Sequence, residues 1–358
     1  MRRCIKCILP EICPRIAFDE NGLCNVCKDF DEKWGRFNQE KTLRLQELRK
    51  VFDLLKNKEK KYDCLVPLSG GFDSTYILYI CKRVYGLRTL AFNFNNGFQS
   101  KVALQNLENA VKALDVDLIT YGPKWEIAKR LYSLFFLKTG EFCTPCNLGI
   151  WSMSHKIARD FGIPLIVSGS SDRISERLPK GGRIYGWSPS YFREVIRREI
   201  PKKDVKEYLY LPNDFRNSML TKDPRGFSSK NIKILPLFDY IDYDIKSILE
   251  TLRNELNWRP KADKFHHIDC IMESVNSYFK QRKWGFSSVA RYSMLVRNGQ
   301  MTRDEALKNA IEEEEKNKRE PPELKTWLEL LDLSRENLKG FEQRSQISYI
   351  PSQDSSIQ

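Results

Sequence analysis

The chain has 358 residues, 41% hydrophobic and 30% charged, which describes a globular protein with room for more than one domain and excludes a disordered one. Lys and Arg outnumber Asp and Glu by 60 to 47, a net charge of +13. That favours anionic partners (nucleotides, phosphosugars, RNA or an anionic membrane surface) without choosing among them. No apolar run is long enough to span a bilayer and Met1-Arg-Arg-Cys4 lacks the apolar core of a signal peptide, so a soluble, cytoplasmic protein is expected.

Ten cysteines are present, and in a cytoplasmic protein paired CxxC spacings read as metal or redox sites before disulfides. Cys4-Ile-Lys-Cys7 and Cys24-Asn-Val-Cys27, separated by residues 8–23, match the spacing of a tetrahedral zinc ribbon. Residues 1–35 are too short to bury a core, so a structural Zn2+ held by these four thiolates is the natural organiser. Cys13 reads as a spectator. Residues 31–60 then carry a helical apolar period (Phe37, Leu43, Leu45, Leu48, Val51, Leu54, Leu55). This predicts a linker helix over 36–61.

From residue 62 the pattern alternates. Strands are predicted at 63–68, 90–94, 117–120, 165–168 and 232–237, with helices at 73–85, 100–114, 124–137 and 147–161. Such alternation argues an α/β fold with a doubly wound, mostly parallel sheet, whose ligands sit at the carboxyl ends of the strands. Three polar turns collect there. The first is Ser69-Gly-Gly-Phe-Asp-Ser74, the second Asn93-Phe-Asn-Asn-Gly97 and the third Ser168-Gly-Ser-Ser-Asp172.

The first turn ends a strand and opens a helix, a geometry that makes an anion nest at a helix N-terminus. It lacks the Lys of a Walker A loop. The full six-residue string resembles the PP-loop of the ATP-pyrophosphatase superfamily, whose members bind ATP, transfer AMP to a carbonyl-type oxygen and release pyrophosphate. The resemblance implies that Ser69, Gly70, Gly71, Asp73, Ser74 and Thr75 hold the ATP phosphates, with Asp73 and Ser74 nearest the chemistry. It also implies that Asn93 and Gly169, in the other two turns, border the nucleotide.

A further CxxC, Cys143-Thr-Pro-Cys146, lies between two predicted helices and reads as zinc, a redox dithiol or an iron–sulfur ligand. Its layout resembles PP-loop tRNA thiolases, in which a CxxC and a distant cysteine hold a [4Fe-4S] cluster. Cys270 in His266-His-Ile-Asp-Cys270 is the candidate third thiol, His266 or His267 would complete a zinc site instead, and packed thiols are the plain alternative. Residues 173–230 hold Pro179, Gly181, Gly182, Trp187, Pro189 and Tyr191 and read as an insertion over the site. Arg173, Arg177, Lys180 and Arg183 lie in it as a charged loop able to meet an anionic substrate. Residues 242–343 read as helical, with Gly299 ending one helix and a Thr302/Glu305 capping box opening the next. The tail 344–358 is polar and reads as disordered.

The assembly as a whole is similar to the N-acetyl-sugar amidotransferases of bacterial O-antigen and flagellar glycan pathways. The resemblance rests on the Arg-Cys-x-x-Cys knuckle, Phe18-Asp-Glu-Asn-Gly-Leu-Cys-Asn-Val-Cys27, the 69–74 loop, the central CxxC and Gly299-Gln-Met-Thr-Arg-Asp-Glu-Ala-Leu307. It runs to about residue 310, with Cys13 departing from the pattern. It implies ATP- and Mg2+-dependent conversion of an acetamido group to an acetamidino group on an anionic sugar or nucleotide sugar. No glutaminase Cys–His–Glu set is evident among His155, His266 and His267. Ammonia is therefore expected from a separate glutaminase partner, related to the glutaminase and cyclase of the histidine pathway. No nucleic acid or membrane partner enters this reading. The competing one is a tRNA thiolase using Cys143, Cys146 and Cys270.

Overall fold

A computed structural model describes residues 1–56, 60–176, 178, 189–211, 231–260 and 269–343. Five strands, β1 (Cys64–Pro67), β2 (Thr89–Phe94), β3 (Asp117–Tyr121), β4 (Leu165–Ser168) and β5 (Lys233–Pro236), form one parallel sheet in the order β3-β2-β1-β4-β5. All five match the predicted strands to within a residue or two. β2 and β4 are buried throughout, as expected of strands covered on both faces, whereas edge strand β3 is partly exposed.

The helices are α1 (Asn25–Trp34), α2 (Phe37–Leu55), α3 (Phe72–Tyr79), α4 (Lys101–Leu114), α5 (Trp125–Thr139), α6 (Thr144–Asp160), α7 (Pro189–Ile196), α8 (Ile245–Leu256), α9 (Glu273–Trp284), α10 (Val289–Arg297), α11 (Arg303–Asn317) and α12 (Glu323–Leu330). Helices α2, α3, α4 and α8 bury Phe52, Ile77, Leu107 and Leu252 on one face of the sheet. The opposite face receives Phe135, Leu148, Ile157 and Phe192 from α5, α6 and α7. Chain direction across the sheet reverses at β1, which has β2 on one side and β4 on the other. The crevice beyond the carboxyl ends of β1 and β4 is therefore the switch point where such folds bind ligands.

Three local readings change. The linker is two helices broken at Gly35–Arg36, and the first begins inside the second cysteine knuckle, with Cys24 as its N-cap. The central CxxC is not a connection between helices, because α6 starts at Thr144 and takes Cys146 into its first turn. The Glu141 carboxylate makes this possible by accepting from the N–H groups of Cys143 (2.8 Å) and Thr144 (3.1 Å). Arg173 is no solvated loop residue. Its guanidinium is buried, donates to the Phe238 (2.9 Å) and Ile241 (2.6 Å) carbonyls and lies 3.9 Å from the Phe37 ring centroid. Arg177, Lys180 and Arg183, Pro179, Gly181, Gly182 and Trp187, His266 and His267, and the 344–358 tail lie outside the described residues.

The N-terminal 30 residues do not stand apart. Ile8, Leu9, Val26 and the ribbon cysteines share one apolar cluster with Phe286, Val289, Ala306 and Ala310 of the C-terminal helices. No helix among the described residues is long and apolar enough to cross a membrane.

Candidate active site and metal centre

The turn after β1 is braced by its own hydroxyls. Ser69 Oγ accepts from Gly71 N (3.3 Å), and Ser74 Oγ accepts from Ser69 N (3.2 Å) while donating to Gly71 O (3.2 Å). Thr75, fully buried, donates to the same carbonyl through N (3.1 Å) and Oγ1 (2.7 Å). Gly71 is the N-cap of α3, whose first-turn N–H groups have no intrahelical acceptors. Gly70 has φ +84°, and a Cβ there would lie 2.0 Å from the Ala103 carbonyl oxygen. Glycine is required by both conformation and space. From behind, the buried indole of Trp258 donates to Gly70 O (3.0 Å). The loop is thus braced by the protein's own groups on both sides.

The other two turns adjoin it. Asn93, buried at the end of β2, donates through Nδ2 to the Leu68 carbonyl (2.9 Å) and ties the second turn to the first. Gly169 packs against the first two turns of α3: a Cβ there would lie 3.2 Å from Ile77 Cδ1 and 3.7 Å from Asp73 Cβ. Tyr243 also reaches Asp73. Burial, reinforced by that carboxylate, pushes the phenol's pKa up and keeps it neutral.

Sequence reasoning missed Asp269. A Cβ on Gly71 would sit 3.6 Å from Asp269 Oδ2, so little more than a methyl group separates the loop backbone from this carboxylate. Its main chain is pinned, with Ser100 N donating to Asp269 O (3.2 Å), Gln99 bridging Cys270, and Ile271 N donating to Phe98 O (2.8 Å). Among the described residues the carboxylate has no hydrogen bond or ion pair. The C-terminal region therefore aims an acidic group at the loop. Asp269 follows a short polar stretch with no periodicity, so only the long-range bridge reveals it.

The same bridge brings Cys270 towards Cys146, whose Sγ accepts from Asn96 Nδ2 (3.2 Å). Burial, aided by the Asp269 charge, pushes the Cys146 thiol up to about 11. Cys143 is raised by burial and then by Glu141, and Cys270 chiefly by burial. Without a metal all three are neutral thiols at pH 7, unlike an activated thiolate. Tetrahedral zinc with Zn–S near 2.3 Å needs sulfurs about 3.8 Å apart. These three do not come within 4.8 Å of one another as a group, so the described residues pre-arrange no mononuclear three-thiol site here.

The N-terminal cysteines differ. Cys4, Cys7, Cys24 and Cys27 are fully buried, their sulfurs all lie within 4.8 Å of one another, and the Cys4–Cys27 and Cys7–Cys24 separations are 3.9 and 3.8 Å. This is the spacing a tetrahedral four-sulfur ion requires. N–H groups of Cys24, Leu9 and Cys27 donate to Cys4, Cys7 and Cys24 sulfurs at 3.3–3.5 Å, as suits thiolates. Gly22, at φ +83°, makes the turn before the second knuckle. Cys13 is buried nearby but outside this foursome, its thiol pushed up to about 12 by burial. Arg303 closes the site from α11, donating to the carbonyls of Cys4 (3.1 and 3.2 Å) and Cys7 (3.2 Å).

The structure is thus an α/β protein with a braced SGGFDS turn at the switch point of a five-stranded parallel sheet and an N-terminal four-cysteine ribbon. Residues 260–357 match the family model described as LPS biosynthesis protein WbpG-like, C-terminal domain. The matched segment begins just before Asp269 and takes in α9 to α12. It is 23% identical over 268 residues to Uncharacterized protein MJ1599 of Methanocaldococcus jannaschii, covering 74% of this chain and 77% of that one. Among solved structures, NMN synthetase from Francisella tularensis aligns with a TM-score of 0.38 and 13% identity, over 78% of this chain and 97% of that one. The U34-tRNA thiolase NcsA from Methanococcus maripaludis, solved with its [4Fe-4S] cluster, aligns with a TM-score of 0.38 and 14% identity, over 90% and 91%.

Proposed function

We propose that the protein is an ATP-dependent amidotransferase of bacterial surface-glycan (O-antigen or flagellin glycan) biosynthesis, converting a sugar acetamido group to an acetamidino group. The observation that carries this reading is the joining of a PP-loop to a WbpG-like C-terminal domain that meets the loop at Asp269. An amide oxygen is a poor leaving group, so the reaction needs activation. The amide oxygen attacks the α-phosphorus of ATP, the bond to pyrophosphate breaks, and an O-adenylyl imidate forms. Ammonia adds to its carbon, a proton is lost, and AMP departs with the former amide oxygen, leaving the amidine.

In this reading the loop N–H groups at the head of α3 and the Ser69 and Ser74 hydroxyls hold the phosphates and the departing pyrophosphate. The braces on Gly71 O and Ser74 Oγ keep that cradle from reorganising during transfer. Asn93 and Gly169 shape the neighbouring turns. Asp73 and Asp269 would hold Mg2+, which offsets phosphate charge when bound with ATP. The four ribbon thiolates would hold Zn2+, whose role is structural because no position stays open. Ammonia comes from a separate glutaminase.

The second reading, a tRNA thiolase, is favoured by one observation: Cys270 is carried towards Cys146 by its bridge to Gln99. Amidine formation needs neither sulfur nor an electron, so a cluster at Cys143, Cys146 and Cys270 would speak for thiolation. Incubation with ATP, ammonium and diacetamido sugars separates the readings. A product lighter by about 1 Da, the exchange of O for NH, with AMP and pyrophosphate in equal amounts, supports the first. Brown protein from anaerobic purification, with colour lost in Cys270→Ala and no sugar product, supports the second.

A further inference from the structure

Arg297, the last residue of α10, is only 7% exposed, and its Nε, Nη1 and Nη2 atoms are all buried with no hydrogen-bond partner among the described residues. Burying a guanidinium costs several kcal/mol unless an anion answers it. Its helix packs on the ribbon: Val289 and Val296 of α10 join the apolar cluster that holds the four cysteines, and the Phe30 ring of α1, three residues past Cys27, lies 5.9 Å from the guanidinium carbon. Arg3, also near the ribbon, pairs at 4.0 Å with Glu314 of α11 rather than with the cysteines.

We propose that Arg297 is the counter-ion of a metal–tetrathiolate centre, and that the bound metal thereby locks the C-terminal helices to the ribbon. Four thiolates around a divalent ion carry a net double negative charge. Four thiols carry none. Among the described residues, the charge that matches the buried guanidinium is the one the centre gains when the metal displaces the thiol protons. Arg297 belongs to α10, and the same helix receives Ile8 N on Ser293 Oγ (3.3 Å), while Arg303 at the start of α11 holds the Cys4 and Cys7 carbonyls. Metal binding, ribbon folding and the seating of α10 and α11 are then one coupled equilibrium. This coupling stands whether or not the sugar reaction is the right one, because it concerns the ribbon alone.

Two measurements on the full-length protein test it. In the first, zinc transfer to a chromogenic chelator is compared for wild type, Arg297→Met and Arg297→Lys. Loss of the charge at constant bulk should weaken zinc retention by about 10-fold or more, the size usual for partners just outside a metal's ligands. The Lys variant should stay near wild type. Retention of zinc in Arg297→Met equal to that of wild type overturns the proposal, as does equal loss in both variants, which would make the residue's role packing. The second needs no variant. Hydrogen exchange of the wild-type protein before and after zinc removal should show lost protection over 289–297 and 303–317 as well as over 1–30. If only 1–30 loosens, the metal does not hold the C-terminal helices and the proposal falls.

Discussion

The Arg303 guanidinium holds the carbonyl oxygens of Cys4 and Cys7 together, at 3.1–3.2 Å, across nearly the whole length of the chain. The first cysteine knuckle and the Thr302–Leu307 segment, both among the motifs that carry the family resemblance, are thus two halves of one contact. Charge-assisted bonds of this kind contribute about 1.5–3 kcal/mol each. Arg303→Met should therefore lower the thermal midpoint by several degrees and speed loss of the ribbon metal. A midpoint and metal content matching wild type would show the clasp to be idle.

The two loop glycines should fail differently. Gly70→Ala forces a Cβ onto the Ala103 carbonyl at a positive φ and should destabilise the fold by more than about 1 kcal/mol. At Gly71 the side chains nearest a Cβ are Ser69, with Oγ at 3.3 Å, and Asp269, with Oδ2 at 3.6 Å. Gly71→Val should fold, yet lose ATP-dependent pyrophosphate release because its methyls occupy phosphate space. Undiminished release from a folded Gly71→Val protein would remove the phosphate role from the loop.

Asp269 makes a prediction with two signs. A carboxylate beside the loop repels bare polyphosphate and attracts it through Mg2+. Asp269→Asn should bind ATP more tightly in EDTA and less tightly in excess Mg2+, each by roughly several-fold on that Coulombic argument. Calorimetry of both states checks it. An unchanged magnesium dependence would leave Asp269 as scaffolding, whereas failure of the wild type to bind ATP would undercut the nucleotide site itself.

The ribbon should hold one zinc per chain. Changing Cys4, Cys7, Cys24 and Cys27 together to Ser should remove it, measured by elemental analysis, and should destabilise the C-terminal helices packed on it through Phe286 and Val289. Zinc content unaltered by those changes would refute the assignment.

Ammonium at high concentration should support amidine formation by the isolated chain, and glutamine should do so only with an added glutaminase. Efficient glutamine use by the purified protein alone would show that the nitrogen source lies within this chain.

The sequence by itself determined the parts written in short-range pattern. Apolar runs such as 63–68 and 165–168 became buried parallel strands, because a strand covered on both faces must be apolar along its length. The Ser69–Ser74 turn and the paired knuckles were legible because glycine at a tight turn and sulfur at fixed intervals are local requirements. Tertiary structure alone decided which distant segments meet. Arg173 reads as a charged loop residue until Phe238 and Ile241 offer it carbonyls and Phe37 a ring face. Asp269 gains its place at Gly71 through its carbonyl's bond from Ser100 N and the bridge from neighbouring Cys270 to Gln99, and Trp258 braces Gly70 from far along the chain. Arg297 looks like any basic residue ending a helix until the fold buries its guanidinium beside the Phe30 ring. Such roles depend on burial and on charge brought near by the fold, and neither leaves a periodicity in the residues alongside.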